Sequence, residues 1–170
     1  RSNKLSFDPI LQLENELDIG TIVAYSTFYT IRHQLSTYGA MGHSKENIEK
    51  WTVAKDGASN HACIRAGLFE SASSRGIKLL LRKTSKNITN LKDPLLRSYF
   101  ENTPSSIGIK KFEEGIFAEE KEMYGDCRTN KEDLLKAHLN LFKSDNPNFI
   151  NVCGKKIWPS NEPLLLNKYI

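Results

Sequence analysis

Three sets of side chains in this chain have types and spacings that could do chemistry: Glu119-Glu120-Lys121 with Asp93, Cys127 with His138, and nine basic residues between positions 75 and 111. On a strand, an acid and a lysine two positions apart share one face. There the Glu119 carboxylate could hold a divalent metal and the Lys121 ammonium could steady an attacking water or a phosphate. Gly115 to Lys121 reads as such a strand. Cys127 and His138 are a thiol and an imidazole of the kinds that make a nucleophile pair, and Gly125-Asp126-Cys127 leads toward a helix whose N-terminus would lower a thiol pKa. If that helix begins after Asn130, His138 lies about two turns along it, roughly 10 Å or more away, so a satisfied histidine on a buried stripe is the simpler account.

The acid-x-Lys triplet resembles half of the motif of the restriction-endonuclease-like nucleases. The resemblance implies an upstream acid near a second strand, for which Asp93 is the candidate, and a divalent metal as cofactor. A metal-dependent nuclease or related phosphoryl-transfer enzyme would follow. Spacing offers no other metal site and no other cofactor: His33, His43, His61 and His138 are dispersed, and neither Cys-x2-Cys nor His-x3-His occurs. His33 and His43 flank a loop and could meet His61 only through the fold. Gly-x4-Gly-Lys-Ser/Thr, Gly-x-Gly-x-x-Gly and Gly-x-Ser-x-Gly are all missing from the sequence, which argues against the familiar nucleotide-binding and serine-hydrolase layouts.

Charge is sorted along the chain. Arg75, Lys78, Arg82, Lys83, Lys86, Lys92, Arg97, Lys110 and Lys111 face only Asp93 and Glu101, a local net of +7. Residues 113 to 126 reverse the sign, with six acids against Lys121. Several cations on one surface release counterions from a polyanion, and Asn87, Asn90 and Tyr99 could add hydrogen bonds or stacking. The leading expectation is therefore a nucleic-acid-binding domain, RNA or DNA, whose central basic surface holds phosphates. A protein-interaction module steered by the two opposed segments, with 113 to 126 meeting a protein partner, has the same composition.

The chain of 170 residues, 39% hydrophobic and net +4, suits a single compact domain over 1–170. Its odd, widely spaced cysteines Cys63, Cys127 and Cys153 argue against a disulfide framework and for a cytoplasmic or nuclear location. No apolar run approaches a membrane span. The first residues, Arg1-Ser2, fit an excised domain, a processed product or a cloning remnant.

These side chains must be positioned by the elements the pattern predicts. Asp8-Pro9 starts a helix through Leu17. Thr21 to Ser36 and Ser59 or Asn60 to Ser74 read as helices, the latter closed by Gly76. A helix from Ser44 stops at Lys55-Asp56-Gly57, and Asp93-Pro94 launches a short one through Phe100. Ile77 to Arg82 fits strand or helix. Ile107 to Phe112 and Gly115 to Glu120 read as paired strands. Lys131 to Phe142 is the clearest helix, with Leu134, Leu135, His138, Leu139 and Phe142 as its buried stripe, stopped at Asp145-Asn146-Pro147. Phe149 to Val152 and Lys155 to Trp158 form a terminal hairpin. The predicted class is α+β: a helical N-terminal half packed on a small, mostly antiparallel sheet, with a C-terminal helix and hairpin.

Overall fold

The computed structural model describes residues 2–54, 59–143 and 147–166. The ends of the predicted helix at Lys55-Asp56-Gly57 and of the C-terminal helix at Asp145-Asn146 lie outside them.

Four strands form one sheet in the order β1 (Thr21–Thr27), β2 (Asn60–Ala66), β3 (Phe149–Cys153), β4 (Lys156–Ser160). β1, β2 and β3 run parallel, and only the β3–β4 hairpin is antiparallel. The expected mostly antiparallel sheet is thus corrected to a mixed, mostly parallel one, within an α+β layout of helices, sheet and terminal hairpin that otherwise agrees. The cause lies in β1 and β2. Asn60–Ala66 is almost wholly buried, and a parallel strand covered on both faces shows no alternation to set it apart from a helix. In β1 the β-branched Thr21, Ile22, Val23 and Thr27 are laid against β2 in register, Thr21 with Asn60 through Thr27 with Ala66.

Each face of the sheet has a different character. Ala62, Ile64, Ala66, Ile150 and Val152 pack with Ala137 and Leu141 of helix α7 (Lys131–Leu141) in an apolar core. Each fully buried isoleucine there stabilises the fold by about 1.5–3 kcal/mol. The opposite face carries His61, Cys63, Arg65 and Asn151 and meets α3 (Ala40–Ala54), while α1 (Ser2–Glu16) packs on α3. Because the strand order rises steadily while α3 and α7 return on opposite faces, the two crossovers have opposite hands, and one departs from the right-handed rule. Helix α1 begins at Ser2 and contains Pro9, upstream of the predicted start.

Between β2 and α7 the chain forms a helical cap of α4 (Ala72–Thr84), α5 (Pro94–Ser98) and α6 (Ser105–Tyr124), joined by α2 (Arg32–Tyr38). Leu81, Leu91, Leu96, Phe100, Ile109, Phe112 and Ile116 form its core. The two strands predicted over Ile107 to Glu120 are therefore one 20-residue helix. Its buried residues Gly108, Ile109, Phe112, Ile116 and Glu120 recur at three to four positions, the helical period, and a buried acid ends the run. Gly115 marks no turn: a Cβ there would sit 2.5 Å from His33 Nε2, so the helix needs a bare backbone to pass the ring.

Candidate functional site

A cleft of about 360 Å³ opens where β1 and β2 end, below α4. This is the place where open α/β sheets hold ligands, at the carboxyl ends of parallel strands. Apolar walls come from Met41, Phe69, Ile77 and Leu134, and polar groups from Tyr25, Lys45, Ser71, Ser73 and His138. Among the described residues that line it, none is Asp or Glu. Lys45 reaches from α3 to donate to Tyr25 O at 3.0 Å, and burial pulls its pKa below the ordinary lysine value. Ser71 caps α4 in a reciprocal pair: its hydroxyl accepts from Ser74 N at 3.1 Å and its amide donates to Ser74 Oγ at 2.8 Å. Tyr25 Oη lies 2.7 Å from His138 Nε2.

Behind the cleft, Thr27 donates to Gln34 Oε1 at 2.8 Å, and Gln34 Nε2 donates to Glu120 Oε1 at 3.3 Å. Leu68 N also donates to that oxygen, at 2.6 Å, which ties the loop after β2 to α6. Glu120 is fully buried, and burial pushes its pKa up to about 7. Its second oxygen, Oε2, has no hydrogen-bond partner. Gly67 passes so close that an added Cβ would meet Thr129 Oγ1 at 2.9 Å and Glu120 Oε1 at 3.1 Å.

The structure ties Glu119 and Asp93 to opposite ends of one residue, Arg32, and not to each other or to Lys121. Arg32 donates from its backbone to Glu119 Oε1 at 2.7 Å and from Nη2 to Asp93 Oδ2 at 2.9 Å. His33 N and Nδ1 both meet Glu119 Oε2, at 3.0 and 2.6 Å, and His33 Nε2 meets Tyr99 Oη at 2.9 Å. Glu119 therefore caps the first amides of α2, whose own N-cap residue Ile31 offers no side-chain bond. Although burial alone would raise it, the Leu96 amide and the Arg32 guanidinium hold Asp93 below the ordinary carboxylate range. Because the triplet is helical, residues two apart point about 200° from each other, and the strand face assumed for Glu119 and Lys121 does not exist. Among the described residues no group of three or more His, Cys, Asp or Glu could hold a metal ion.

The basic residues are divided among several elements. Arg75, Arg82 and Lys83 are exposed on α4 and Lys86 follows it; Lys92 is exposed before α5, and Lys110 and Lys111 on α6. Arg75 approaches Glu70 at 3.9 Å, Lys78 is paired with Glu113 at 2.6 Å, and Arg97 donates from Nε to Leu91 O at 3.0 Å. The acids of 113 to 126 are largely used inside the fold. Glu113 pairs with Lys78, Glu114 with Arg128 at 2.6 Å, Glu119 caps α2, Glu120 is buried, and Asp126 accepts from Cys127 N and Lys155 N at 2.8 Å.

Cys127 and His138 are not partners: His138 is bound to Tyr25, and burial raises the Cys127 pKa. His33, His43 and His61 stay apart, each near its own carboxylate, Glu119, Glu46 and Glu14. Sequence reasoning missed Tyr25, Lys45 and the cleft because it took β1 for a helix; a tyrosine near the carboxyl end of a recognised parallel strand would have pointed there. Among the described residues no helix is long and apolar enough to cross a membrane. Compared with known proteins, the chain matches no family model, no curated protein and no solved structure.

Proposed function

We propose that the protein binds a nucleotide unit, free or at the end of a nucleic-acid strand, with its base against the apolar wall of the cleft and its phosphate toward Lys45. The observation that carries this reading is a cleft of nucleotide size with apolar walls, a lysine and no lining carboxylate among the described residues. The N-terminal turn of α4, with Ser71 and Ser73, adds amide and hydroxyl donors suited to a phosphate. Arg75 follows the cleft residue Ser74 directly, and Arg82 and Lys83 lie about 12 Å farther along α4, at the helical rise. They give a longer strand further phosphate contacts.

Binding of a labelled mononucleotide and of a 5′-phosphorylated oligonucleotide tests it. Lys45→Ala weakens both by tenfold or more. Joint replacement of Arg82, Lys83 and Lys86 weakens only the oligonucleotide, and it flattens the salt dependence between about 50 and 200 mM. If neither ligand binds, or if affinity ignores both Lys45 and salt, the reading fails.

A further inference from the structure

Tyr25 and His138 form the one hydroxyl–imidazole hydrogen bond among the described cleft residues, and ligand binding alone leaves it unused. His138 Nδ1 lies 2.7 Å from Leu134 O. A carbonyl can only accept, so Nδ1 carries the ring proton and Nε2 keeps the lone pair, onto which the Tyr25 hydroxyl donates at 2.7 Å. A backbone bond thus holds the imidazole in the tautomer a general base requires, with its basic nitrogen already on the hydroxyl it would deprotonate. Three other cleft hydroxyls are committed elsewhere: Ser26 donates to Glu49, Thr27 to Gln34 and Ser74 to Ser71 O. Tyr25 is also 55% exposed, so a ligand can reach it, and its ring is held beside the imidazole at 5.6 Å between centroids. Lys45, anchored on the Tyr25 carbonyl, places a positive charge beside the same strand residue.

We propose that Tyr25 is a nucleophile toward the phosphorus of a nucleotide phosphodiester, with His138 as its base. The proposal rests on the nucleotide-binding reading above. In the first half the Tyr25 Oη–P bond forms, the P–O bond to the alcohol leaving group breaks, and the tyrosine proton passes to His138 Nε2 and on to the leaving oxygen. In the second half a water oxygen attacks phosphorus, its proton passes to Nε2, and that proton returns to Tyr25 Oη as the Oη–P bond breaks. The sum is hydrolysis, and water is the sole co-reactant.

The test uses the full chain with the p-nitrophenyl ester of thymidine 5′-monophosphate, following p-nitrophenolate release and intact-protein mass. Binding of thymidine 5′-monophosphate is measured in parallel. The expected result is a burst approaching one equivalent and a thymidylate adduct mapped to Tyr25. Tyr25→Phe, which removes one partly exposed hydroxyl, abolishes the adduct, and His138→Gln slows the burst by about 100-fold or more, the scale of lost general-base catalysis. Thymidylate binding with neither burst nor adduct overturns the nucleophile while leaving the binding reading standing. An adduct on another residue, or a burst that survives in Tyr25→Phe, overturns it as well. Failure of thymidylate to bind overturns both readings.

Discussion

Arg65 on β2 grips Glu49 on α3 through two bonds, Nε to Oε1 at 3.0 Å and Nη2 to Oε2 at 2.6 Å, with side chains only 4% and 0% exposed. Both Glu49 oxygens and the guanidinium also have partners outside the pair. Asn151 Oδ1 accepts from Arg65 Nη1, and Ser26 Oγ and Leu164 N donate to Glu49. Removing one member strands the other charge in the interior, so Arg65→Met or Glu49→Gln should cost about 3–5 kcal/mol, read as a lowered urea midpoint. Joint replacement by Glu49→Leu and Arg65→Met should cost clearly less than the two single losses added together.

Glu120 makes stability depend on pH in the opposite sense to an ordinary salt-bridged acid. Burial raises its pKa from 4.5 to about 7, so between those values the folded protein keeps a proton that the unfolded chain has released. Its contribution is therefore most favourable at the acid end of that window and is lost as pH rises toward 7, by on the order of 3 kcal/mol. Glu120→Gln keeps the acceptor for Leu68 N and has no proton to lose. The variant should gain stability over the parent at pH 8 and match it more nearly at pH 5, in thermal melts at both values.

Two helical glycines should respond in opposite directions. Gly76 is inside α4 with nothing within 4 Å of an added Cβ, so Gly76→Ala should stabilise by about 0.5–1 kcal/mol. Gly115 lies against His33 and Tyr99, and an added Cβ would sit 2.8 Å from Tyr99 Oη. Gly115→Ala should destabilise by about 1–3 kcal/mol and perturb the His33 ring resonances in NMR spectra.

Helix α7 buries a stripe one step round from the one its hydrophobicity suggests. Ala137 and Leu141 face the sheet, while Leu135, Leu139 and Phe142 are exposed by 61%, 49% and 69%. Leu141→Ala should cost about 2–5 kcal/mol. Leu139→Ser should stay within about 0.5 kcal/mol, both read by chemical denaturation.

The sequence was most legible where local chemistry decides the outcome. Asn130 caps α7 and Asp93-Pro94 starts α5 as their residue types dictate, and the hairpin about Cys153-Gly154 pairs as expected. It was least legible where long-range pairing decides. Nothing within Asn60–Ala66 announces that both its neighbours are parallel strands, and Thr21–Thr27 carries a helical spacing by coincidence. The candidate site suffered most from this. Glu119 and Asp93 were singled out as metal-site acids; in the fold one caps α2 and the other takes the Arg32 guanidinium, links that exist only once α2 meets α5 and α6. The cleft was invisible because Tyr25, Lys45 and His138 come from three elements more than a hundred residues apart in total span.

The outer margin of β1 is the last strand of the sheet on its side, with main-chain groups that another extended chain could zip onto. Lys45 occupies the Tyr25 carbonyl on that margin and sets a cation where an incoming strand would need an amide. A lysine seated there obstructs edge-to-edge pairing, so Lys45→Ala should raise self-association over the parent, measured by light scattering at matched concentration.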